Sequence, residues 1–190
     1  RIDFIYEKGW DLIPFPNKKY NIIYADPAWY FKTYSDKGNK RSALQHYDCL
    51  NIDDIYNLPI DTISDNDCML FIWVIDPMLP EAIETIKRWG FKYKTVAFTW
   101  VKQNKKSDGY FTGLGYWTRA NPEMCLLATK GKPKRISKSV RQLIISKLQE
   151  HSRKPSDIRN RIVELCGDLP RIELFARQRV EGWDCWGNEV

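Results

Sequence analysis

The sequence predicts a single α/β domain over residues 1–190, a sheet of mostly parallel strands flanked by helices. Short apolar runs rich in β-branched and aromatic residues alternate along the chain with segments of helical periodicity. Each run is closed by turn-forming residues. Composition agrees: 43% hydrophobic and 28% charged residues in 190 describe one globular unit able to bury a sizeable core.

The elements follow in order. Asn21 to Ala25 are apolar or β-prone and bounded by turn formers, which reads as a buried strand. Asn51–Leu58 reads as a short helix ended by Pro59, and Cys68–Val74 as a second buried strand. Asp76 and Pro77 suit the cap and first turn of a helix reaching Trp89, stopped by Gly90. Leu79, Ala82, Ile83 and Ile86 form its apolar face and are assigned to the core. Strands are expected near Thr95–Val101, Glu123–Thr129 and Gln142–Ser146. A helix then starts at Pro155 or Ser156, turns Ile158, Ile162, Leu165 and Cys166 inward and ends at Gly167. Arg171–Phe175 is the last clear strand.

The chemistry concentrates in YNIIYADPAWYF, Tyr20 to Phe31. Asp26 falls at the carboxyl end of the first strand, where open α/β sheets place their ligand crevices. Pro27 excludes Asp26 from helical geometry and removes a backbone donor, so the chain turns there. A carboxylate, an exposed Pro27 carbonyl and the Trp29 ring would then face one crevice, a set suited to a planar, hydrogen-bonding substrate such as a nucleobase. Taken alone, Asp-Pro is also an ordinary turn, and a nearby tryptophan is as often core.

The segment resembles the Asp-Pro-Pro-Trp motif of the MT-A70 family of adenine-N6 methyltransferases, with Ala28 in place of the second proline. The resemblance runs from about Lys18 to the chain end. It includes LFIWV at Leu70–Val74, WGFKYKTVAFTWVK at Trp89–Lys102 and EMCLLATKGKP at Glu123–Pro133. It continues through HSRKPSDI at His151–Ile158, RIELFARQ at Arg171–Gln178 and GWDCWGNE at Gly182–Glu189. It implies a Rossmann-like S-adenosylmethionine-dependent methyltransferase fold with a mixed, mostly parallel sheet and a permuted order, the catalytic block preceding the cofactor block.

The resemblance also implies roles. Asp26, Pro27 and Trp29 would be catalytic, with Asp26 and the Pro27 carbonyl each accepting a hydrogen from the adenine amine. Tyr47, Glu123 and Lys154 would meet the base, although Tyr47 and Trp29 serve equally well as packing residues and Glu123 as an exposed strand-start acid. S-adenosylmethionine would lie against Asp11, Asp26, Ser152, Lys154, Phe175, Arg177 and Arg179, with Asn188 and Glu189 on the ribose hydroxyls. No glycine-rich G-x-G-x-x-G is present; FARQRVEG follows the last strand instead. No metal is expected. Ala28 removes one proline's rigidity, at about 0.5–1 kcal/mol in preorganisation.

The net charge is +6, and KGKPKRISKSVR alone carries Lys130, Lys132, Lys134, Arg135, Lys138 and Arg141 with no acid. Its glycine, proline and serines suggest a mobile loop for phosphates, or else a solvated face. Lys102, Lys105 and Lys106 form a second basic stretch, leading into a loop of glycines and aromatics that would be flexible and able to stack on bases. DNA is favoured over RNA as partner. The alternatives are an RNA adenine-N6 methyltransferase and a non-catalytic nucleic-acid-binding subunit, and a homo- or heterodimer is among the forms allowed. The five cysteines, Cys49, Cys68, Cys125, Cys166 and Cys185, include no C-x-x-C pair, and three read as small core residues in a reducing, cytoplasmic protein. No apolar run reaches the ~18 residues of a membrane span, and no secretory pattern opens the chain, whose first residue, Arg1, reads as a start inside a longer protein.

Overall fold

A computed structural model describes residues 14–29, 51–150 and 153–190. Seven strands form one sheet: β1 (Tyr20–Ala25), β2 (Ser64–Val74), β3 (Lys92–Gln103), β4 (Glu123–Lys130), β5 (Leu143–Lys147), β6 (Arg171–Leu174) and β7 (Asp184–Trp186). Their order across the sheet is β5-β3-β4-β2-β1-β6-β7. Neighbours pair in parallel except at β4, which runs antiparallel to both β2 and β3. Because β4 alone is reversed, its first residue lies at the edge where the other strands end.

Three helices are described: α1 (Ile52–Tyr56), α2 (Leu79–Arg88) and α3 (Asp157–Cys166). The period-two alternation of the strands sorts side chains to two faces. Leu70, Ile72 and Val74 of β2 join Ile23 and Ala25 of β1 beneath Ile55 of α1 and Ala82 and Ile86 of α2. Met69, Phe71 and Trp73 join Ile22 and Tyr24 on the other face, covered by Ile158, Ile162 and Cys166 of α3. The result is a three-layer α/β sandwich, the expected mixed, mostly parallel sheet flanked by helices. No described helix is long and apolar enough to cross a membrane.

Most element expectations hold within a few residues. Three details differ. Ile83 is 38% exposed, whereas Thr85 is buried. The buried arc centres on Ala82 and Trp89, and Ile83 lies about 100° round the helix from Ala82. Thr85 tolerates burial because its hydroxyl donates to the Glu81 carbonyl at 2.8 Å. Asp76 does not cap α2 with its side chain; it begins a short 3₁₀ turn, Asp76–Met78, that leads into the helix. Finally β7, three residues long, lies beyond the last strand expected. Cys68, Cys125 and Cys166 are buried free thiols, as small core residues should be.

Candidate active site

Four segments meet at the edge where the parallel strands end. Asp26 follows β1, Glu123 begins β4, Phe175 follows β6, and Lys154 stands before α3. Lys154 Nζ lies 3.0 Å from Asp26 Oδ2 and 3.2 Å from Glu123 Oε2. Glu123 Oε1 accepts a 2.6 Å hydrogen bond from Lys102 Nζ. The charges thus alternate Asp26, Lys154, Glu123, Lys102 in one chain, and Asp26 is the most open of the four with its side chain 24% exposed. An ammonium ahead of a helix N-terminus is unfavourable by dipole alone; two carboxylates within 3.2 Å account for this one.

Electrostatics follow from that packing. Burial pushes the Glu123 carboxyl up, but the ammonium groups of Lys154 and then Lys102 outweigh it and hold Glu123 below its usual range. Burial opposes charge on Lys154, yet Asp26 and Glu123 raise it above an ordinary lysine. Asp76, just past β2, is an exposed residue whose carboxyl is raised by partial desolvation and then by the Glu123 charge, with Lys102 acting against them.

A shallow cleft, open to solvent, adjoins the charge chain. It is lined by Tyr24, Asp26, Arg153, Lys154, Arg159, Glu173, Phe175, Arg177 and Gln178. Arg159 grips Glu173 with two hydrogen bonds of 2.7 and 2.9 Å, which fixes β6 against α3. The Tyr24 hydroxyl accepts a 2.7 Å hydrogen bond from Trp73 Nε1, and burial drives its phenol well above the ordinary value. The Trp73 ring in turn lies 5.6 Å from Lys154 Nζ, a cation–π distance.

The Asp-Pro-Ala-Trp turn differs from expectation in two ways. The Pro27 carbonyl already accepts the Trp29 N–H at 2.9 Å, an i to i+2 bond that closes a γ-turn about Ala28. A second lone pair on that oxygen is what a substrate would use. Trp29 is only 5% exposed and packs in the core. Its Nε1 donates to the Trp73 carbonyl at 2.8 Å, so it fastens the turn to the end of β2 and presents no open face for stacking.

The cofactor residues divide. Phe175 and Arg177 line the cleft. Asn188 and Glu189 are exposed just past β7, whose Trp186 pairs with Leu174 of β6. Ala176 N–H donates to the Trp186 carbonyl at 3.0 Å, and this joins the ends of β6 and β7. Gly187 makes the approach possible: a Cβ there would sit 2.4 Å from the Ala176 carbonyl oxygen and 2.8 Å from its nitrogen. Phe175 turns with φ at 59°, rare for an aromatic residue and a mark of a constrained loop. Arg179 is exposed and does not line the cleft. Asp11, Tyr47 and Ser152 lie outside the described residues.

The basic residues also divide. Lys102 is not a surface cation; its side chain is 15% exposed and committed to Glu123. Lys105 pairs with Glu150 at 2.8 Å on the surface, and Lys106 is exposed nearby. The run Lys130 to Arg141 begins at the far end of β4, about 24 Å along the strand from Glu123. There Lys130 Nζ donates to Ser64 Oγ at 2.8 Å, and Lys132 N–H to Asp67 Oδ1 at 2.7 Å. Lys134, Arg135, Lys138 and Arg141 are exposed. The segment is tethered to α3 by a 2.8 Å bond from Ile136 N–H to the Leu165 carbonyl. Reversal of β4 places Lys130 and Lys132 at the opposite edge from Asp26, and the run then climbs to β5, where the Gln142 carbonyl accepts the Thr99 N–H at 3.0 Å.

Sequence reasoning missed Lys102, Asp76, Trp73 and Gly187. Trp73 lay within a block that resembled the family, but an apolar strand residue gives no hint of its hydrogen bond. Nothing local marks Gly187, since its constraint comes from a strand end that is distant in sequence.

Comparison with known proteins agrees with this geometry. The MT-A70 family model matches residues 20–189. The Type II methyltransferase M.MunI of Mycoplasma sp is 36% identical over 92% of this chain and 79% of its own length. The N(6)-adenosine-methyltransferase catalytic subunit METTL3 of Homo sapiens is 27% identical over 90% of this chain. A putative N(6)-adenosine-methyltransferase MT-A70-like protein of Medicago truncatula is 27% identical over the same share. The chain spans only about a quarter of those last two proteins, 28% and 26% of their lengths.

Proposed function

The chain belongs to the MT-A70 family, and from that premise we propose that it is an adenine-N6 methyltransferase acting on DNA, with the target base extruded from the duplex into the cleft beside Asp26. Methyltransferases of this family use S-adenosylmethionine, which supplies a methyl carbon made electrophilic by its sulfonium. The cleft suits such a group chemically. It offers a carboxylate to an ammonium, the Arg177 guanidinium to a carboxylate, and the Phe175 edge to an apolar stem. Asn188 and Glu189 carry donors and acceptors suited to ribose hydroxyls.

The protein's own part is to aim an amine. Asp26 accepts one N6 hydrogen through a carboxylate oxygen, and the second lone pair of the Pro27 carbonyl accepts the other. Both bonds draw the nitrogen lone pair out of ring conjugation and stabilise the positive charge that develops as the N–C bond forms. The methylated nitrogen is strongly acidic, so its proton leaves without a strong base. Lys154 fixes Asp26 in place, and Glu123 with Lys102 fixes Lys154.

The observation that carries the reading is the position of Asp26: partly open, at a strand end, on the wall of the cleft and held by a single ammonium. The fuller match to a Type II methyltransferase than to the N(6)-adenosine enzymes supports DNA over RNA. Incubation with labelled S-adenosylmethionine and adenine-containing duplex DNA should yield labelled N6-methyladenine, lost in Asp26→Ala. Transfer to single-stranded RNA alone would replace DNA by RNA in the reading, and no transfer to any nucleic acid would leave the non-catalytic subunit.

A further inference from the structure

Loop 104–122 joins the end of β3 to the start of β4, so both its stems stand at the edge of the site. At one stem Lys102 reaches Glu123. At the other Asn121 works as a clamp: its Oδ1 accepts the Lys102 N–H at 3.0 Å, and its Nδ2 donates to the Lys102 and Phe111 carbonyls. Gly113 N–H closes on the Ala120 carbonyl at 2.7 Å. Gly115 turns with φ at 66°, and a Cβ there would fall 1.9 Å from the Thr118 carbonyl oxygen. The loop is therefore shaped and fastened, not flexible as its glycines suggested.

At its tip stands Trp117, 95% exposed, with φ at 69°. Glycine or asparagine ordinarily fills a left-handed position, and a bulky residue there is strained. A tryptophan in this place thus combines backbone strain with an open indole that gains nothing from burial. The clamp and the tight turn at Gly115 fix the backbone from which that ring projects. Lys106 and Arg119, both exposed, give the loop positive charge suited to phosphates.

We propose that Trp117 is a stacking wedge, whose ring enters the duplex beside the target adenine and stabilises the stack while that base occupies the cleft. The inference rests on the DNA methyltransferase reading. Extruding a base breaks its stacking and leaves its partner unpaired. An aromatic or apolar ring inserted at the step restores part of that contact without reading sequence. The loop's place beside Glu123 puts the wedge on the same edge as the cleft, whereas the Lys130 to Arg141 run starts at the other.

The test compares two duplexes of one sequence, with the target adenine opposite thymine or opposite an abasic site that already frees it. Trp117→Ala should lower kcat/KM roughly tenfold to a hundredfold on the paired duplex, the range expected for one stacked ring, and less than about threefold on the abasic one. Trp117→Phe should restore most of the loss. With 2-aminopurine at the target position, fluorescence should rise on binding of the wild-type protein and stay low with Trp117→Ala. An equal loss on both duplexes, or none on either, overturns the wedge while leaving the methyltransferase reading intact. A change of molecular mass by light scattering in Trp117→Ala also overturns it, because the ring would then be a contact between copies. Failure of the wild-type protein on every DNA substrate would remove both.

Discussion

Replacing Lys154 by methionine keeps the volume of the side chain but removes the ammonium between Asp26 and Glu123. Each contact, at 3.0 and 3.2 Å, is worth about 5 kcal/mol of Coulomb attraction at an effective dielectric near 20. Most of that offsets the cost of taking the charges out of water, so the loss on deleting one buried partner is about 3–5 kcal/mol. For a domain of this size it corresponds to a fall in Tm of roughly 6–20 °C. The sign with pH is fixed by the shifts. In the wild type Glu123 titrates below its usual range, so its contribution is present above about pH 4.5 and is lost as pH falls through its lowered value. Lys154 titrates above an ordinary lysine, so its contribution is complete below about pH 10.5 and is lost only as pH rises through its raised value. In Lys154→Met the carboxylates face each other with Lys102 the cation still paired to Glu123 among the described residues, and protonation relieves them. The deficit should therefore be largest at neutral pH and shrink as pH drops below about 5. Melting curves from pH 4.5 to 8.5 measure it, with Lys154→Arg as the charge-conserving control. A variant that melts within about 2 °C of wild type at every pH would refute the buried charge chain.

Four further outcomes are expected. Trp29→Phe leaves the Trp73 carbonyl without its indole donor, at about 1–3 kcal/mol in chemical denaturation; a larger fractional loss in kcat than in cofactor affinity would mark its role in holding the turn. Gly187→Ala drives a methyl group into the Ala176 backbone, which cannot yield as a flexible side chain would; calorimetry should show weakened binding of S-adenosylmethionine and a stability loss of about 1–3 kcal/mol. Ala28→Pro should raise stability by about 0.5–1 kcal/mol in urea denaturation, because Ala28 is absent from the positive-φ residues and centres a γ-turn of the proline-compatible hand. Asp76→Asn should stabilise the protein slightly at pH 7: partial desolvation and Glu123 raise its carboxyl, so ionisation disfavours the fold above the usual aspartate range, and solvent screening at this exposed residue keeps the gain small. That gain in Tm should close as the pH falls to about 4.

The sheet was legible because its central strands declare themselves. Leu70 to Val74 and Ile22 to Ala25 are buried on both faces, and such strands read as continuous apolar runs. β7 was not, since Asp-Cys-Trp is too short and too mixed to carry a period. In the site, Asp26 and Lys154 were visible through turn chemistry and an awkward cation before a helix. Lys102 was misread because charge in a basic stretch suggests solvent, whereas register decides: Trp100 pairs with Glu123, so the residue two beyond it on β3 lies within reach of that carboxylate. Trp29 was left between stacking and packing for the same kind of reason, since the acceptor that draws its indole inward belongs to Trp73, 44 residues away.

The two carboxylates of the charge chain have different work, and their oxygens tell them apart. Glu123 engages Lys102 through Oε1 and Lys154 through Oε2, so both its oxygens are spent on holding cations. Asp26 meets Lys154 through Oδ2, and a carboxylate has a second oxygen with lone pairs of its own. Asp26 is also the more open and lies on the cleft wall, whereas Glu123 does not line it. Were Glu123 the group that receives an amine, substrate would have to displace a lysine from it and strand a buried charge, at several kcal/mol. Asp26 asks for no such exchange. The reversed strand β4 thus supplies an anchor for Lys154, and on the proposed reading the end of β1 supplies the acceptor.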